Sequence, residues 1–280
     1  MQRKSVGLVT YLKSPKLTKG DQLLVKPLEK QGYVVSATPW NDKTINWEDF
    51  DILILRSCWN YHRKLTEFNE WLSSIEKKGI TLWNPYKIVR WNIHKEYLLD
   101  LEQKGISIIS TSILRQNSDL SLRNIFEETG YPELVIKPAV GASGKGVIRI
   151  KENEISAKQK IFTQMVNSQD YLIQPYMNEI NDGELSLIFF NKNYSHCVLK
   201  HPSPQAFNPS QQVIDEARKI FACIPDTLLY TRIDGLIIKN KFVLMELELI
   251  EPMLFFEFSS GSAERFAKTF ASLIISSHSN

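Results

Sequence analysis

The sequence predicts an α/β first third followed by an α+β remainder. In the first ninety residues apolar strands alternate with amphipathic helices, an order typical of a parallel sheet. In the second half the strand-like runs follow one another closely, which predicts an antiparallel sheet. All six tryptophans lie between Trp40 and Trp91, and a chain of 280 residues is long enough for more than one domain.

The first unit is predicted to hold three strands and two helices. They are a strand at Val6–Tyr11, a helix at Asp21–Lys30, strands at Tyr33–Ala37 and Asp51–Leu55, and a helix at Thr66–Lys78. Gly32 ends the first helix as a C-cap, whereas Pro27 kinks that helix or shifts its start. The second helix begins at the N-cap Thr66 and stops at Gly79.

The remainder is predicted to open with helices and then to become rich in strands. Asn92 is expected to cap a helix that Gly105 closes, and another helix covers Leu120–Thr129. The predicted strands are Ser107–Ser110, Leu134–Lys137, Val147–Ile150, Tyr171–Gln174, Glu184–Phe190, Tyr194–Lys200, Tyr230–Ile238 and Phe242–Leu249. The last helix has an apolar face that runs from Ala263 to Ile274.

Composition excludes several classes of protein. The 34 Lys and Arg against 31 Asp and Glu give a net charge of +3, so no nucleic-acid partner is predicted. No stretch approaches the ~18 apolar residues of a membrane span, and the first apolar run is typical of a buried strand, not a signal peptide. Cys58, Cys197 and Cys223 are too far apart for a disulfide framework or a zinc site, which favours a cytoplasmic protein.

A glycine-rich loop follows the predicted strand that ends in Lys137. The segment VIKPAVGASGKGVIRI places Ser143 and Gly144 between two strands, with Lys145 beside them. Glycines let backbone N–H groups approach an anion closely, and the lysines supply positive charge. No helix follows, so the loop is not a Walker A motif. Phosphate binding is favoured over an ordinary glycine hairpin.

A hairpin in RIDGLIIKNKFVLMELE is the most informative feature. A three-residue loop at residues 239–241 pairs Ile238 with Phe242. That register puts Leu236 and Leu244 on the same face as this pair, so we expect the rest of the protein to cover the face.

Charged residues gather at the other end of this face. The same register brings Asp234 opposite Glu246, and Arg232 opposite Glu248. A solvated polar face is the ordinary alternative, but the apolar residues of the face argue against it. Because neighbouring buried carboxylates repel each other, the cluster predicts a magnesium site, which takes one or two carboxylates plus water and phosphate oxygens.

The segment YLIQPYMNEINDGELSLIFF is a candidate ligand-binding loop. Pro175 ends a strand, which leaves the backbone from Gln174 to Met177 free to hydrogen-bond to a ligand. Glu179 or Asp182 is then placed to reach a ribose hydroxyl. A plain loop between strands is an equal alternative.

Two other segments are candidates for holding a small zwitterionic substrate. Arg56 and Ser57 lie at the carboxyl end of an apolar strand, where open α/β sheets bind ligands. An ion pair at the domain interface is the alternative for Arg56. Ser260, Gly261 and Ser262 precede the last helix, whose N–H groups suit a carboxylate, with simple helix capping as the alternative.

Together these motifs resemble the ATP-grasp superfamily, which includes glutathione synthetase and D-alanine–D-alanine ligase. The resemblance covers roughly Ile52 to Phe256. It implies an ATP-grasp fold, with a Rossmann-like N-terminal domain and two α+β subdomains that grip ATP. The expected domains are residues 1–90, residues 91–175 with the glycine-rich loop, and residues 176–280 with the metal site.

The resemblance also implies which residues bind the nucleotide and the metal. We expect Lys95 and Lys137, together with the loop residues Ser143 and Gly144, to bind phosphate. We expect adenine to be bound by Gln174, Pro175, Tyr176 and Met177, and ribose by Glu179 or Asp182. The expected metal ligands are Asp234, Glu246 and Glu248. In the family an asparagine is usual where Glu248 stands, so this chain has one more negative charge at the metal.

The implied reaction uses ATP and Mg²⁺, with two metal ions expected and Mn²⁺ as an alternative. A substrate carboxylate forms an acyl phosphate, and an amine then displaces the phosphate, while Lys200 and Arg232 act as catalytic residues that balance charge. The expected partner is a small amino-acid-like substrate, and a homodimer is left open.

A narrower resemblance gives the alternative to ligation. RSCWNYHRKLTEF, GELSLIFFNKNYSHCVLKHP and MELELIEPMLFF look like the D-cycloserine synthetase subgroup, which implies cyclisation of a ureido-amino acid. An ATP-binding protein without catalysis is less favoured, because every expected metal position is acidic. A thiol enzyme using Cys58 is not favoured, since the sequence indicates no third residue that would orient a catalytic base beside the thiol.

Overall fold

The computed structural model describes residues 4–142 and 144–277, and its first unit is a parallel α/β layer. Its elements are β1 (Ser5–Thr10), α1 (Lys19–Gln22), α2 (Val25–Lys30), β2 (Val34–Pro39), β3 (Ile52–Leu55), α3 (Leu65–Lys77), β4 (Thr81–Trp83) and α4 (Tyr86–Ile93). The four strands pair in parallel in the order β2-β1-β3-β4. The predicted alternation of strands and helices is confirmed.

Local deviations in this unit have simple causes. The helix predicted over Asp21–Lys30 is two short helices, and Pro27 lies in the first turn of the second, where its missing N–H breaks no intrahelical bond. The helix α3 begins at Leu65, so the prediction of Thr66 as N-cap is wrong. Gly79 does end α3, with a φ of 72° that suits glycine.

The middle of the chain forms an antiparallel sheet with its own helices. Its elements are α5 (Tyr97–Gln103), β5 (Ser112–Leu114), α6 (Leu122–Thr129), β6 (Glu133–Pro138), β7 (Ile148–Lys151), α7 (Ile155–Val166) and β8 (Tyr171–Pro175), with strand order β5-β8-β6-β7. The strand predicted at Ser107–Ser110 is wrong, because only an isolated bridge between Ile108 and Leu244 forms there. Asn92 is not an N-cap either: it lies inside α4 and its side chain hydrogen-bonds to Leu247 and Leu249.

The last part forms a five-stranded antiparallel sheet closed by a long helix. Its elements are β9 (Leu185–Phe190), β10 (Asn193–Leu199), β11 (Gln205–Phe207), α8 (Gln211–Arg218), α9 (Ile220–Cys223), β12 (Tyr230–Ile238), β13 (Lys241–Glu248) and α10 (Ser262–Ser277). The strand order is β11-β10-β9-β12-β13. Helices α7, α8 and α9 have no counterpart among the predicted elements.

The β12–β13 hairpin reaches the predicted charged pairing by a different route. Its turn has two residues, Lys239 and Asn240, both with positive φ, so Ile238 pairs with Lys241 and not with Phe242. A β-bulge next to Asp234 then shifts the register back by one residue.

The bulge leaves the charged end of the hairpin paired as predicted, but it moves the side chains of β13 nearer the turn to the opposite face of the sheet. Asp234 pairs with Glu246, and Arg232 pairs with Glu248. Phe242, however, packs on the opposite face, where its ring lies 2.4 Å from the point that a Cβ on Gly235 would occupy. Leu244 belongs to the same buried cluster, so the prediction that these two apolar residues share the face of Asp234 is wrong.

The first unit and the last sheet are tied together by buried polar contacts. The Asn84 side chain donates to the Tyr230 and Leu249 carbonyls at 2.9 and 2.8 Å and accepts from the Leu229 N–H at 2.7 Å. The three sheets take their strands from residues 5–83, 112–175 and 185–248, and the domain boundaries stay a prediction. Within the described residues no helix is long and apolar enough to cross a membrane.

Candidate active site

A cavity of about 610 Å³ lies between the middle and last sheets and is lined by many ionisable side chains. The cations are Lys95, Lys137, Lys145, Lys200 and Arg232, and the acids are Glu184, Asp234, Glu246, Glu248 and Glu251. Trp59 and Tyr61 from the first unit close one side. The sequence-predicted lysines, arginine and carboxylates are therefore brought together, although they come from five separate stretches of chain.

Lys137 reaches the cavity because β6 alternates. Leu134 and Ile136 turn into a buried cluster, so Val135 and Lys137 face the opposite way and line the cavity. Burial lowers the pKa of Lys137, and the Glu246 carboxylate acts against that shift. Among the described residues Lys137 forms no salt bridge, which leaves its ammonium available to an anion.

Lys95 joins the glycine-rich loop to β13. Its backbone N–H donates to the Ala139 carbonyl at 2.8 Å, and its Nζ donates to the Gly141 carbonyl at 2.9 Å and lies 3.1 Å from Glu246 Oε1. Burial acts to lower the pKa of Lys95, but the Glu246 carboxylate outweighs it and the pKa is raised. Gly144 lines the cavity as well, whereas Ser143 lies outside the described residues.

The four expected adenine-binding residues, Gln174, Pro175, Tyr176 and Met177, all line the cavity. The Gln174 side chain donates to Thr111 Oγ1 at 2.7 Å, and the Arg149 guanidinium lies 3.4 Å from the centre of the Tyr176 ring. The expected ribose contacts are not placed in the same way. Glu179 and Asp182 lie away from the cavity lining, while Glu184, which the sequence analysis did not single out, is part of it.

Asp234 is paired with two cationic side chains of the protein, Lys200 and Arg232. It accepts hydrogen bonds from Ser186 Oγ at 2.6 Å, Lys200 Nζ at 3.0 Å and Arg232 Nη2 at 2.9 Å, and its side chain is 1% exposed. Burial acts to raise the pKa of Asp234, but Arg232 and Lys200 hold it well below its usual range. The structure therefore does not place Asp234 as an open metal ligand, because its oxygens are already satisfied.

Glu246 and Glu248 remain directed at the cavity, with side chains 26% and 27% exposed. Glu248 pairs with Arg232, whose Nη1 also donates to the Met253 carbonyl at 3.2 Å. Burial raises the pKa of Glu248 to about 7 despite Arg232, and Glu246 adds to the rise. Burial likewise raises the pKa of Glu184, which pairs with Lys200, to about 7.

The donor set fits a metal ion bound with a nucleotide better than a closed metal cage. Across residues 4–142 and 144–277, no group of three or more His, Cys, Asp or Glu side chains is arranged to hold a metal ion. Glu246 and Glu248 are two hard oxygen donors on one strand, which is the protein share that Mg²⁺ takes when phosphate and water complete its shell. The metal assignment of Asp234, Glu246 and Glu248 stays a prediction, and only Glu246 and Glu248 of these three have appreciably exposed side chains.

The structure does not support the substrate predictions for the first unit. Arg56 is fully buried, with Nε 2.9 Å from Asp21 Oδ1 and Nη2 2.7 Å from the Pro252 carbonyl, so the interface ion pair weighed as its alternative is the observed role. Ser57 is buried and does not line the cavity. Cys58 is also buried, and burial raises the pKa of its thiol, which argues against a nucleophile.

The start of α10 also lies away from the cavity. Ser262 Oγ donates to the Ser259 and Phe256 carbonyls at 2.6 and 3.2 Å, and the Ser260 carbonyl accepts from an arginine within α10. Neither these serines nor Gly261 is among the residues that line the cavity, so the structure does not support the predicted carboxylate site.

Sequence reasoning missed several residues of the cavity lining. They are Trp59, Tyr61, Glu251, Met253 and Phe255. A signal was present for Glu251, because it follows β13 by three residues at the same end as the two cavity-facing carboxylates. Nothing in the sequence alone indicated that the aromatic residues meet it there.

Two family models match successive parts of the chain. Residues 6–84 match the family model of the D-cycloserine synthetase DcsG N-terminal domain, and residues 101–213 match that of the prokaryotic glutathione synthetase ATP-grasp domain. The chain is 25% identical over 274 residues to the cycloserine biosynthesis protein DcsG of Streptomyces lavendulae, covering 89% of this chain and 91% of that protein.

Solved structures give the same picture. The crystal structure of D-cycloserine synthetase DcsG is similar with a TM-score of 0.89 at 25% identity, covering 96% of this chain and 99% of that one. D-alanine–D-alanine ligase from Bacillus anthracis complexed with ATP is similar with a TM-score of 0.72 at 14% identity, covering 99% and 100%. At that identity the second likeness concerns the fold alone.

Proposed function

The chain is an ATP-grasp enzyme, an ATP-dependent carbon–nitrogen ligase, and on that premise we propose that it activates the carboxylate of a small amino-acid-like substrate as an acyl phosphate. An amine then takes the place of the phosphate. The observation that supports this is the cavity in which Lys95 and Lys137 face Glu246 and Glu248, so that sites for phosphate and for a metal adjoin.

ATP and a divalent metal ion are the cofactors that the family implies. We propose that Lys137 and Lys95 bind the nucleotide phosphates through charge-assisted hydrogen bonds. The backbone from Gln174 to Met177 is proposed to hold adenine, with Tyr176 fixed by the stacked Arg149. Glu184 is proposed as the ribose contact in place of Glu179 or Asp182, because it lines the cavity and they do not.

Glu246 and Glu248 are the proposed ligands of Mg²⁺, with two ions expected and Mn²⁺ as an alternative. A bound divalent ion would neutralise charge on the transferring phosphoryl group. In this proposal Asp234 is a positioning residue, since it holds Arg232 and Lys200 at the edge of the cavity. Lys200 and Arg232 then balance negative charge on the reacting oxygens.

The proposed chemistry has two steps. A carboxylate oxygen attacks the γ-phosphorus of ATP, ADP leaves, and an acyl phosphate forms. The lone pair of an amine then attacks the acyl carbon, phosphate leaves with its bonding electrons, and the new amide loses the amine proton. Binding and charge balance are the protein's contributions, and no covalent enzyme intermediate is required.

Ring closure is a second candidate that the comparisons favour. The relative from Streptomyces lavendulae is named for cycloserine biosynthesis, and its structure for D-cycloserine synthetase. If amine and carboxylate belong to the same ureido-amino acid, the same two steps produce a ring. Mass spectrometry separates the two outcomes, because ligation joins two substrates whereas cyclisation removes one water from a single substrate.

Transfer of ¹⁸O tests the proposal. An amino acid labelled with ¹⁸O in its carboxylate, incubated with ATP and Mg²⁺, is expected to give phosphate that carries one ¹⁸O, because the acyl phosphate passes that oxygen to phosphate. A panel of amino acids with a ureido, hydroxamate or second amine group supplies the candidate substrates. Bound ATP without amino-acid-dependent ADP formation across this panel would favour the non-catalytic alternative.

Localisation and assembly belong to the proposal too. Use of ATP and the unpaired state of Cys58, Cys197 and Cys223 suit a cytoplasmic enzyme. The homodimer left open by the sequence stays a prediction, and sedimentation equilibrium measures it.

A further inference from the structure

The acids that line the cavity differ in one respect, which is whether the protein supplies a cation for them. Four of the five have a salt bridge, namely Glu184 and Asp234 with Lys200, Glu246 with Lys95, and Glu248 with Arg232. For the carboxylate of Glu251, the part of the chain that the structure describes supplies no salt bridge, and its backbone hydrogen bond comes from Glu251 itself.

Glu251 is nevertheless deeply placed. The residue is 7% exposed and lines the cavity. A carboxylate without a paired cation at such a site is costly, because burial removes most of its hydration and no ion pair among the described residues replaces it. Burial accordingly raises the pKa of Glu251 to about 8, and the nearby Glu248 adds to the rise. A cationic group entering the cavity would remove this cost.

The backbone around Glu251 is fixed on both sides. The Glu251 carbonyl accepts from Trp59 Nε1 at 3.2 Å, the Pro252 carbonyl from Arg56 Nη2 at 2.7 Å, and the Met253 carbonyl from Arg232 Nη1 at 3.2 Å. Three consecutive carbonyls thus each have a side-chain donor, two from the segment that follows β3 and one from β12. Such anchoring is what a binding side chain needs in order to meet its ligand without reorganisation.

The surroundings of Glu251 suit one kind of ligand group. Trp59, Tyr61 and Phe255 line the cavity as well, and aromatic side chains attract cations. Among the described residues Lys137 has no acid partner in a salt bridge, so the cavity holds an unpaired positive charge at the proposed phosphate site and an unpaired negative charge at Glu251.

We propose that Glu251 binds the ammonium group of the amino-acid substrate and so selects α-amino acids over the corresponding hydroxy acids. The proposal rests on the ligase function proposed above and names the substrate class that its second site accepts. Glu251 is thereby a specificity-determining residue, whereas Glu246 and Glu248 serve the metal.

Calorimetry on the full chain in MgADP tests this, with matched pairs as probes: D-alanine with D-lactate, D-serine with D-glycerate, and the L-forms of each. At least one amino acid is expected to bind the wild type about 10- to 100-fold more tightly than its hydroxy acid, the range of a charge-assisted bond. Glu251→Gln keeps the shape and is expected to lose that preference, with unchanged affinity for the hydroxy acid and for MgADP.

Glu257→Gln is the matched control, because Glu257 is an exposed acid of the same segment that does not line the cavity. This variant is expected to keep the wild-type preference. The proposal is overturned if no probe pair shows a preference in the wild type, if Glu251→Gln retains it, or if that variant loses Mn²⁺ affinity instead. Failure of the wild type to bind MgADP would contradict the ligase function itself, so the two failures are distinguishable.

Discussion

Two buried arginine–aspartate pairs, one in the first unit and one at the cavity, have nearly the same geometry and different surroundings. Arg56 lies 2.9 Å from Asp21, with side chains 0% and 5% exposed, and Arg232 lies 2.9 Å from Asp234, with side chains 8% and 1% exposed. Neither distance nor burial separates them. What separates them is the charge that surrounds each pair.

The Arg56 pair is complete in itself. The second arm of Arg56 ends on the Pro252 carbonyl, and the guanidinium lies 5.2 Å from the centre of the Tyr230 ring. The Arg232 pair is joined by Glu248 and Lys200, whose side chains are 27% and 23% exposed and face the cavity. We therefore take an ion pair with no further charged neighbours, here called the closed pair, to be structural. An ion pair that also contacts accessible charged side chains indicates a functional site.

Breaking the closed pair is expected to have the largest effect, and that effect is on stability. Arg56→Leu leaves Asp21 buried without a counter-charge, which typically costs about 3–5 kcal/mol. Urea unfolding measures the loss. Steady-state kinetics on the folded fraction are expected to give unchanged KM values for ATP and amino acid, because Arg56 does not line the cavity.

The double variant Asp21→Leu, Arg56→Leu is the control. It leaves no orphan charge, so it should unfold at a higher urea concentration than Arg56→Leu alone. An amino-acid KM that rises in Arg56→Leu while stability stays at the wild-type level would show that the first unit holds the substrate after all.

Within the cavity, Glu246→Gln is expected to abolish metal-dependent turnover and spare the fold. Losing a carboxylate that holds the metal costs several kcal/mol of transition-state stabilisation, a drop of about 100-fold or more in kcat/KM. The amide still accepts from Lys95, so the melting temperature should stay near that of the wild type. Activity that persists with a raised melting temperature would mean that Glu246 is a strained structural acid.

The hairpin shows how much of this fold was readable from sequence. The charged pairing of Asp234 with Glu246 was predicted correctly, yet the two-residue turn and the bulge each shift the register by one, and the two shifts cancel. Beside the bulge the Phe242 ring packs against Gly235, a contact between the two strands that the sequence pattern does not show. Alternation of apolar residues gives the strands, but it does not reveal where one residue is added.

The residues of the site also divide into those that local sequence patterns predict and those that depend on distant contacts. Lys137 lies in a strand, where alternation decides which way it points, and it reaches the cavity as expected. The role of Arg56 depends on Asp21, 35 positions away, and on Pro252, 196 positions away. Local patterns carry no information on such contacts. For the same reason Glu251 and its aromatic neighbours were not recognised.

Removing Lys137, the cavity cation without a salt bridge among the described residues, tests the same comparison between structural and functional charges. Lys137→Ala is expected to weaken ATP binding by about 1.5–3 kcal/mol, the value of a hydrogen bond to a charged group. It should leave unfolding free energy nearly unchanged, because no acid partner is orphaned. Calorimetry measures both ATP affinity and, with heating, stability.

Lys160→Ala is its control, since Lys160 is an exposed residue of α7 outside the cavity lining. Equal ATP affinity in the wild type and Lys137→Ala would remove the phosphate role from Lys137. Equal losses in both variants would indicate a long-range charge effect without a contact.

The smallest expected effect is a dependence of stability on pH that distinguishes Glu251 from Glu246, the acid paired with Lys95. Its pKa is about 8 in the folded protein and 4.5 ordinarily, so between these values the folded state holds a proton that the unfolded state has lost. The contribution of this proton to stability is fully present below about pH 4.5 and is lost as the pH rises through 8.

The variant Glu251→Gln has no carboxyl group and cannot lose this contribution. The melting temperature of this variant should therefore gain on that of the wild type from pH 5.5 to 8.5, by about 2–4 °C for each kcal/mol. Parallel curves for Glu251→Gln and the wild type would mean that Glu251 is already ionised at pH 5.5, as Glu246 is because Lys95 lowers its pKa, and the contrast between these two acids would fail.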